Sequence, residues 1–259
     1  MSYFQAIVMG IIQGVGEFLP ISSSGHLVLA PWLFEWQTPG LAFDVALHMG
    51  TLLAVAAYFW RDWLNLFLGA ITGKSAYYRR QFGFLVVGSL PAVVAVLLFK
   101  DFLENVRSPL VVATMLIVFA GLLFWADRRP QVRELDEMTI ADALLIGAAQ
   151  AIALIPGVSR SGITMTAGRS LFYRREEAAR FSFLLSTPVI FGAGLFELPH
   201  MTMGDVDGPF IAGIISSAVM GLLAISFLMG FLKKFGFKAF AIYRVVLGGI
   251  IILMCVLRG

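Results

Sequence analysis

Gln13-Gly-Val-Gly-Glu17-Phe-Leu-Pro20-Ile-Ser22-Ser23-Ser24-Gly25-His26 places an amide, an acid, three hydroxyls and an imidazole in a segment otherwise apolar enough to enter a bilayer. Gln13 and Glu17 are four residues apart, so on a helix they share one face. Pro20 breaks that helix, and Ser22 to Gly25 supplies turn and N-cap residues for a new one starting near His26. In lipid, broken backbone persists only where protein or a water-filled cavity surrounds it. An ionisable residue at such a break marks a functional site.

The stretch has an echo. Adding 137 takes Gly10 to Gly147, Gln13 to Gln150, Ser22 to Ser159, Ser24 to Ser161 and Gly25 to Gly162. The second copy reads Gln150-Ala-Ile-Ala-Leu154-Ile-Pro156-Gly157-Val-Ser159-Arg160-Ser161-Gly162-Ile-Thr164. Leu154 stands where Glu17 stood and Arg160 where Ser23 stood, so one half carries the carboxylate and the other the guanidinium. Both copies run through an apolar helix, a break and a hydroxyl-rich turn. The chain is therefore expected to be an internal repeat, with one copy over about 1–126 and the other over about 141–257 of a single transmembrane domain, 1–259.

Composition sets the class. The 259 residues are 59% hydrophobic and 14% charged, against about 25% charged in a soluble domain, which makes this an all-α integral membrane protein. A spanning helix takes about 20 apolar residues, and six stretches qualify: Leu41–Trp60, Phe82–Phe99, Pro109–Ala126, Phe181–Leu198, Pro209–Leu232 and Lys238–Leu257. The segments before Pro20 and Pro156 are too short or interrupted to cross. Each is followed by a second short apolar helix, His26–Phe34 and Ile163–Phe172, so each pair is expected to form a re-entrant hairpin. The single cysteine, Cys255, excludes an internal disulfide. The N-terminus lacks the basic region and cleavage site of a signal peptide.

Basic residues crowd the 61–80 loop (Arg61, Lys74, Arg79, Arg80), the 127–140 loop (Arg128, Arg129, Arg133), residues 173–180 and the 233–238 loop (Lys233, Lys234, Lys238). The 200–208 loop has only Asp205 and Asp207 as charges, and the 100–108 loop balances Lys100 and Arg107 against Asp101 and Glu104. The positive-inside rule places the basic group in the cytoplasm and the last two loops outside. That bias also accounts for the net charge of +3 without nucleic-acid binding. Each half holds a hairpin and three spans. Three is odd, so the second half is expected to be inverted, with the hairpins entering from opposite faces, their tips meeting at mid-depth and both termini outside.

At each tip a helix N-terminus offers free N–H groups and a partial positive charge, which suits phosphate. Hydroxyls from Ser22, Ser23, Ser24, Ser159, Ser161 and Thr164 add donors, and Arg160 can grip phosphate oxygens through its planar fork. The signature is an anion site for phosphate or pyrophosphate, beside which Glu17 must be protonated or share a divalent metal with the anion. Plainer readings compete. Membrane serines hydrogen-bond across helices, Gly14 suits close packing, Gln13 and Gln150 can satisfy exposed backbone, and Glu17 with Arg160 can form a structural ion pair. His48, inside a span, reads as a satisfied core histidine. His200 carries no signal, and Arg244 fits either a second phosphate contact or helix packing.

The run Glu17-Phe-Leu-Pro-Ile-Ser-Ser-Ser-Gly-His26, preceded by Gln13 at (E/Q)xxxE spacing, and Pro156-Gly-Val-Ser-Arg-Ser-Gly-Ile-Thr164, fitting PGxSRSxxT, resemble the two signatures of the bacterial undecaprenyl-pyrophosphate phosphatases, the bacitracin-resistance family. The likeness extends to Ala241-Ile-Tyr-Arg244 and so covers essentially the whole chain. The resemblance implies removal of the terminal phosphate of a polyprenyl pyrophosphate lipid, yielding the monophosphate carrier used in cell-wall synthesis. It further implies a divalent metal, Mg2+ or Ca2+, at Glu17, and a multi-pass protein of the bacterial inner membrane whose active site is reached from the periplasm. A homodimer is compatible with this. Family positions match Glu17, Ser23, His26, Ser159, Arg160 and Thr164. A hydrolase would use Ser23 or a water as nucleophile, His26 or Glu17 as general base, and Arg160 for charge stabilisation, with Gln13, Ser22, Ser24, Ser159, Ser161, Thr164 and Arg244 holding substrate. A lipid-phosphate transporter shares the broken-helix plan but needs no nucleophile beside a base. The acid-phosphatase-like membrane class, with PSGH and SRxxxxxH signatures, is disfavoured because no histidine follows Arg160 before His200.

Overall fold

A computed structural model describes residues 1–38, 40–197, 199 and 206–258, and for 100–105 the backbone alone. His200, Asp205 and the side chains of Lys100, Asp101 and Glu104 lie outside the described residues. Within them the chain forms α1 (Tyr3–Phe18), α2 (Ser23–Phe34), α3 (Leu41–Tyr58), α4 (Trp60–Thr72), α5 (Ala76–Asn105), α6 (Pro109–Asp127), α7 (Ile140–Ile152), α8 (Arg160–Ser170), α9 (Arg175–Glu197), α10 (Gly208–Leu232) and α11 (Lys238–Arg258). Six of these, α3, α5, α6, α9, α10 and α11, are long and apolar enough to cross a membrane.

The breaks form where the sequence places them. A capping box of Ser2 and Gln5 starts α1, and Leu19, ahead of Pro20, turns to extended backbone (φ −68°, ψ 139°), as residues before proline do. Ser22 then adopts a left-handed φ of 75°, and its hydroxyl accepts the Gly25 N–H to open α2. In the second hairpin, Thr139 and Asp142 form the capping box of α7. Ser159 takes a φ of 74°, and its hydroxyl caps the Gly162 N–H of α8. A serine at positive φ costs on the order of 1–3 kcal/mol, so each tip is a strained turn held by its surroundings.

The two halves pack crosswise. α1 lies on α10, and α7 lies on α5. Small residues permit both crossings: a Cβ on Gly14 would sit 2.6 Å from the Ser217 carbonyl oxygen, and one on Gly147 would sit 2.1 Å from that of Gly88. α6 pairs with α11. The central core gathers Phe18, Phe59 and Phe183, with the Phe18 and Phe183 rings edge to face at 5.2 Å.

Five helices differ from the sequence expectation. The 61–80 segment is not wholly loop, because Trp60–Thr72 forms α4, which buries Leu66 and Gly69 on α5 and leaves Leu64, Phe67, Leu68 and Ile71 exposed. α5 and α9 begin six residues before the expected Phe82 and Phe181, carrying Arg79, Arg80 and Arg180 on helix rather than loop. The short second helices start three residues earlier than expected, at Ser23 and Arg160, because the serine caps sit at the breaks themselves.

Candidate active site

The two tips meet. Glu17, at the end of α1, pairs its Oε1 with Arg160 Nη2 of α8 at 2.6 Å. Its other oxygen accepts from Ser23 Oγ at 2.8 Å and from Gln13 Nε2 at 3.2 Å. Gln13 reaches it because the two are one helical turn apart. Ser23 reaches it because Gly16 lets the chain fold back: a Cβ there would lie 2.8 Å from Ser23 Cα. The carboxylate is 5% exposed, and a buried ion of this kind is tolerated only when paired and hydrogen-bonded. Arg160 is fixed from its far side by Nη1 donating to the Ser182 carbonyl at 2.9 Å. Thr164 steadies that carbonyl's neighbour, its hydroxyl lying 2.6 Å from Ser182 Oγ.

A cavity of about 230 Å³ opens on this cluster, lined on its polar side by Glu17, Ser23, Ser24, His48, Gln150, Arg160 and Ser186. Val45, Ala92, Leu154, Val189 and Ile190 form its apolar wall. A larger depression of about 580 Å³ lies among loop residues near Asp127, Arg128, Arg129 and Arg175. Three of its cations are already paired, Arg175 with Asp127 and Arg128 and Arg129 over the Phe124 and Trp125 rings.

Of the residues singled out by sequence, Glu17, Ser23, Ser24 and Arg160 line the cavity, and Gln13 touches it through Glu17. The hydroxyls of Ser22 and Ser159 cap α2 and α8. Ser161 donates to the Leu19 carbonyl at 3.2 Å, bracing one break against the other. His26 is turned away. Its Nδ1 lies 2.7 Å from the Ser22 carbonyl, which can only accept, so Nδ1 carries the proton and Nε2 accepts from the Tyr243 hydroxyl, also at 2.7 Å.

Arg244, open in sequence between a phosphate contact and helix packing, is not among the residues that line the cavity. It is fully buried, and its guanidinium donates to the carbonyls of Pro20, Met115, Leu116, Gly157 and Val158. Pro20 and Gly157 belong to opposite tips, so this side chain satisfies the carbonyls that the two breaks free.

Of two further cavity residues, one carried little signal in the sequence. His48 sits 3.7 Å from Glu17 Oε2, with Nδ1 2.7 Å from the Asp44 carbonyl; its one clue was a second polar residue, Asp44, a turn earlier in the same span. Gln150 was marked by its match to Gln13. For a divalent cation of the hard, oxygen-preferring kind, Glu17 and the amide oxygen of Gln13 fit. That oxygen is buried without a hydrogen-bond partner. With a single carboxylate the set is incomplete until phosphate oxygens join it. Among the described residues no group of three or more His, Cys, Asp or Glu could hold a metal alone.

Residues 6–250 match the family model described as bacitracin resistance protein BacA. The chain is 53% identical over 260 residues, all of this chain and 98% of the relative, to an undecaprenyl-diphosphatase of Pelotomaculum thermopropionicum. Proteins of the same name from Desulforudis audaxviator and Moorella thermoacetica are 51% and 48% identical, each over the full length of both chains.

Proposed function

Because the chain belongs to the bacitracin resistance protein BacA family, we propose that it is an undecaprenyl-diphosphatase, releasing the terminal phosphate of undecaprenyl diphosphate and leaving the monophosphate. The observation that carries this reading is the contact of Ser23 Oγ with Glu17 Oε2 at 2.8 Å inside a cavity that Arg160 also lines. A hydroxyl, a base and a planar cation at one point serve phosphoryl transfer, which depends mainly on positioning and electrostatics. A transporter has no use for the first two.

In the resting site Arg160 holds Glu17. An arriving diphosphate competes for the guanidinium, whose fork matches phosphate oxygens, and a carboxylate freed from that cation becomes a stronger base. Ser23 Oγ attacks the terminal phosphorus and its proton passes to Glu17. The bridging phosphorus–oxygen bond breaks, the prenyl monophosphate leaves with the electron pair, and Glu17 returns the proton to the departing phosphate. Water then hydrolyses the phosphoserine. Glu17 and Gln13 would hold a divalent cation, and such an ion would neutralise charge on phosphate oxygens. His26 serves the turn around Ser22 rather than the proton transfer.

The cavity is smaller than the roughly 300–1,000 Å³ of sites that enclose a whole ligand. It takes the head group, with the first isoprene unit against Val45, Val189 and Ile190 and the remaining tail in lipid. The crosswise packing supports an inverted repeat of about 1–126 and 141–257. Under the positive-inside rule the basic segments 61–80 and 127–140 support a cytoplasmic position at the bacterial inner membrane, and in this reading the cavity is reached from the periplasm. The test is incubation of the purified protein with undecaprenyl diphosphate. Equal amounts of inorganic phosphate and lipid monophosphate are expected, and intact substrate would refute the reading.

A further inference from the structure

Gln150 is 2% exposed, lines the cavity, and meets no hydrogen-bond partner in the protein at either Oε1 or Nε2. Which end is oxygen does not matter, since both are free. Its counterpart Gln13 is partnered because Glu17 follows four residues later, whereas Leu154, apolar, follows Gln150 at the same spacing. Leaving a buried amide unsatisfied costs stability, so the cavity's contents must supply both a donor and an acceptor. A fully ionised diphosphate supplies acceptors only. A water molecule beside a phosphate supplies both: its O–H donates to the amide oxygen, and a phosphate oxygen accepts from the amide N–H.

We propose that Gln150 positions the water that hydrolyses the phosphoserine on Ser23. The inference rests on the function proposed above and assigns that reaction's second half. The water oxygen bonds to phosphorus as the Ser23 Oγ–phosphorus bond breaks. The bonding pair stays on Oγ, Glu17 takes the water's proton and passes it to Oγ, and inorganic phosphate departs. A carboxamide suits this task because it orients a neutral nucleophile without protonating it, the part a glutamine plays in some nucleotide hydrolases.

The test is Gln150→Met, which keeps the shape and removes both polar ends. If the amide has no protein partner, the variant folds with an unchanged or higher Tm, since replacing an unsatisfied polar group by an apolar one of like shape is neutral or stabilising. Its kcat should fall on the order of 10²-fold, the cost of a misplaced reactant, with KM falling alongside it so that kcat/KM holds, the metal concentration for half-activity unchanged and acid-stable phosphoserine accumulating. A lower Tm would make the amide structural. A raised KM with unchanged kcat would make it a substrate contact, and a raised metal requirement a metal ligand. An unchanged kcat would leave it idle. Each of these overturns the inference. Gln150→Glu, near-isosteric, serves as the second variant and should also lower kcat while phosphoserine accumulates. A wild type that releases no phosphate overturns the underlying function, and a wild type that hydrolyses while Gln150→Met does so equally well overturns this inference alone.

Discussion

Arg160→Lys separates a planar grip from a mere positive charge. The guanidinium joins Glu17 Oε1 at 2.6 Å to the Ser182 carbonyl at 2.9 Å. Once diphosphate displaces Glu17, a lysine ammonium, a point charge on a flexible stem, cannot hold a phosphate oxygen and the Ser182 carbonyl together. The lost bond is charge-assisted, about 1.5–3 kcal/mol, which at 1.36 kcal/mol per tenfold is about a 10- to 150-fold loss in kcat/KM. Initial rates of phosphate release in detergent, with monodispersity checked by gel filtration, read this directly. A loss of less than about threefold, well under 1 kcal/mol, would refute the reasoning and leave Arg160 as an electrostatic anchor. Arg160→Ala is harsher. It strands a carboxylate that is 5% exposed, at a cost of about 3–5 kcal/mol in stability. Adding Glu17→Gln should restore most of that stability and none of the activity.

Ser23→Ala should abolish turnover while binding of a non-hydrolysable prenyl diphosphonate stays within about tenfold, because Arg160 still holds the phosphates; retention of a tenth of wild-type rate would make Ser23 a hydrogen-bond donor only. Arg244→Met should lower Tm and activity together, since it frees carbonyls at both tips, whereas lost activity at unchanged Tm would restore it to the substrate. In a Cys255→Ser background, cysteines at Lys74 and Lys234 should resist an impermeant thiol reagent in intact cells and one at Val206 should react. Labelling at 74 from outside would overturn the inverted arrangement.

The sequence carried the plan because its signals are local. Pro20 and Pro156 each stop a helix, the serines after them cap a new one, and apolar length separates spans from hairpins. The meeting of Glu17 with Arg160 was legible only as a complementary difference between two copies. What escaped depends on distant contacts. Arg244 shows no preference for phosphate or carbonyl in its own segment, and its role emerges when Pro20, Leu116 and Val158 converge on it. His26 looks like a base beside Ser23, yet helix geometry carries its ring to Tyr243. His48 comes within 3.7 Å of Glu17 through the packing of α3 on α1, which no spacing encodes. The helix α4 was hidden because its apolar run is too short to span and too basic at its flanks to stand out.

In the proposed reaction the phosphorus–oxygen bond is cut where the two breaks meet, on the hydroxyl that Glu17 holds. Acid quench of a single turnover with substrate radiolabelled in the terminal phosphate tests it most directly. Label is expected on the peptide bearing Ser23, absent from Ser23→Ala and increased in Gln150→Met. Phosphate released with no labelled serine at any time point, or label found on His26, would contradict it.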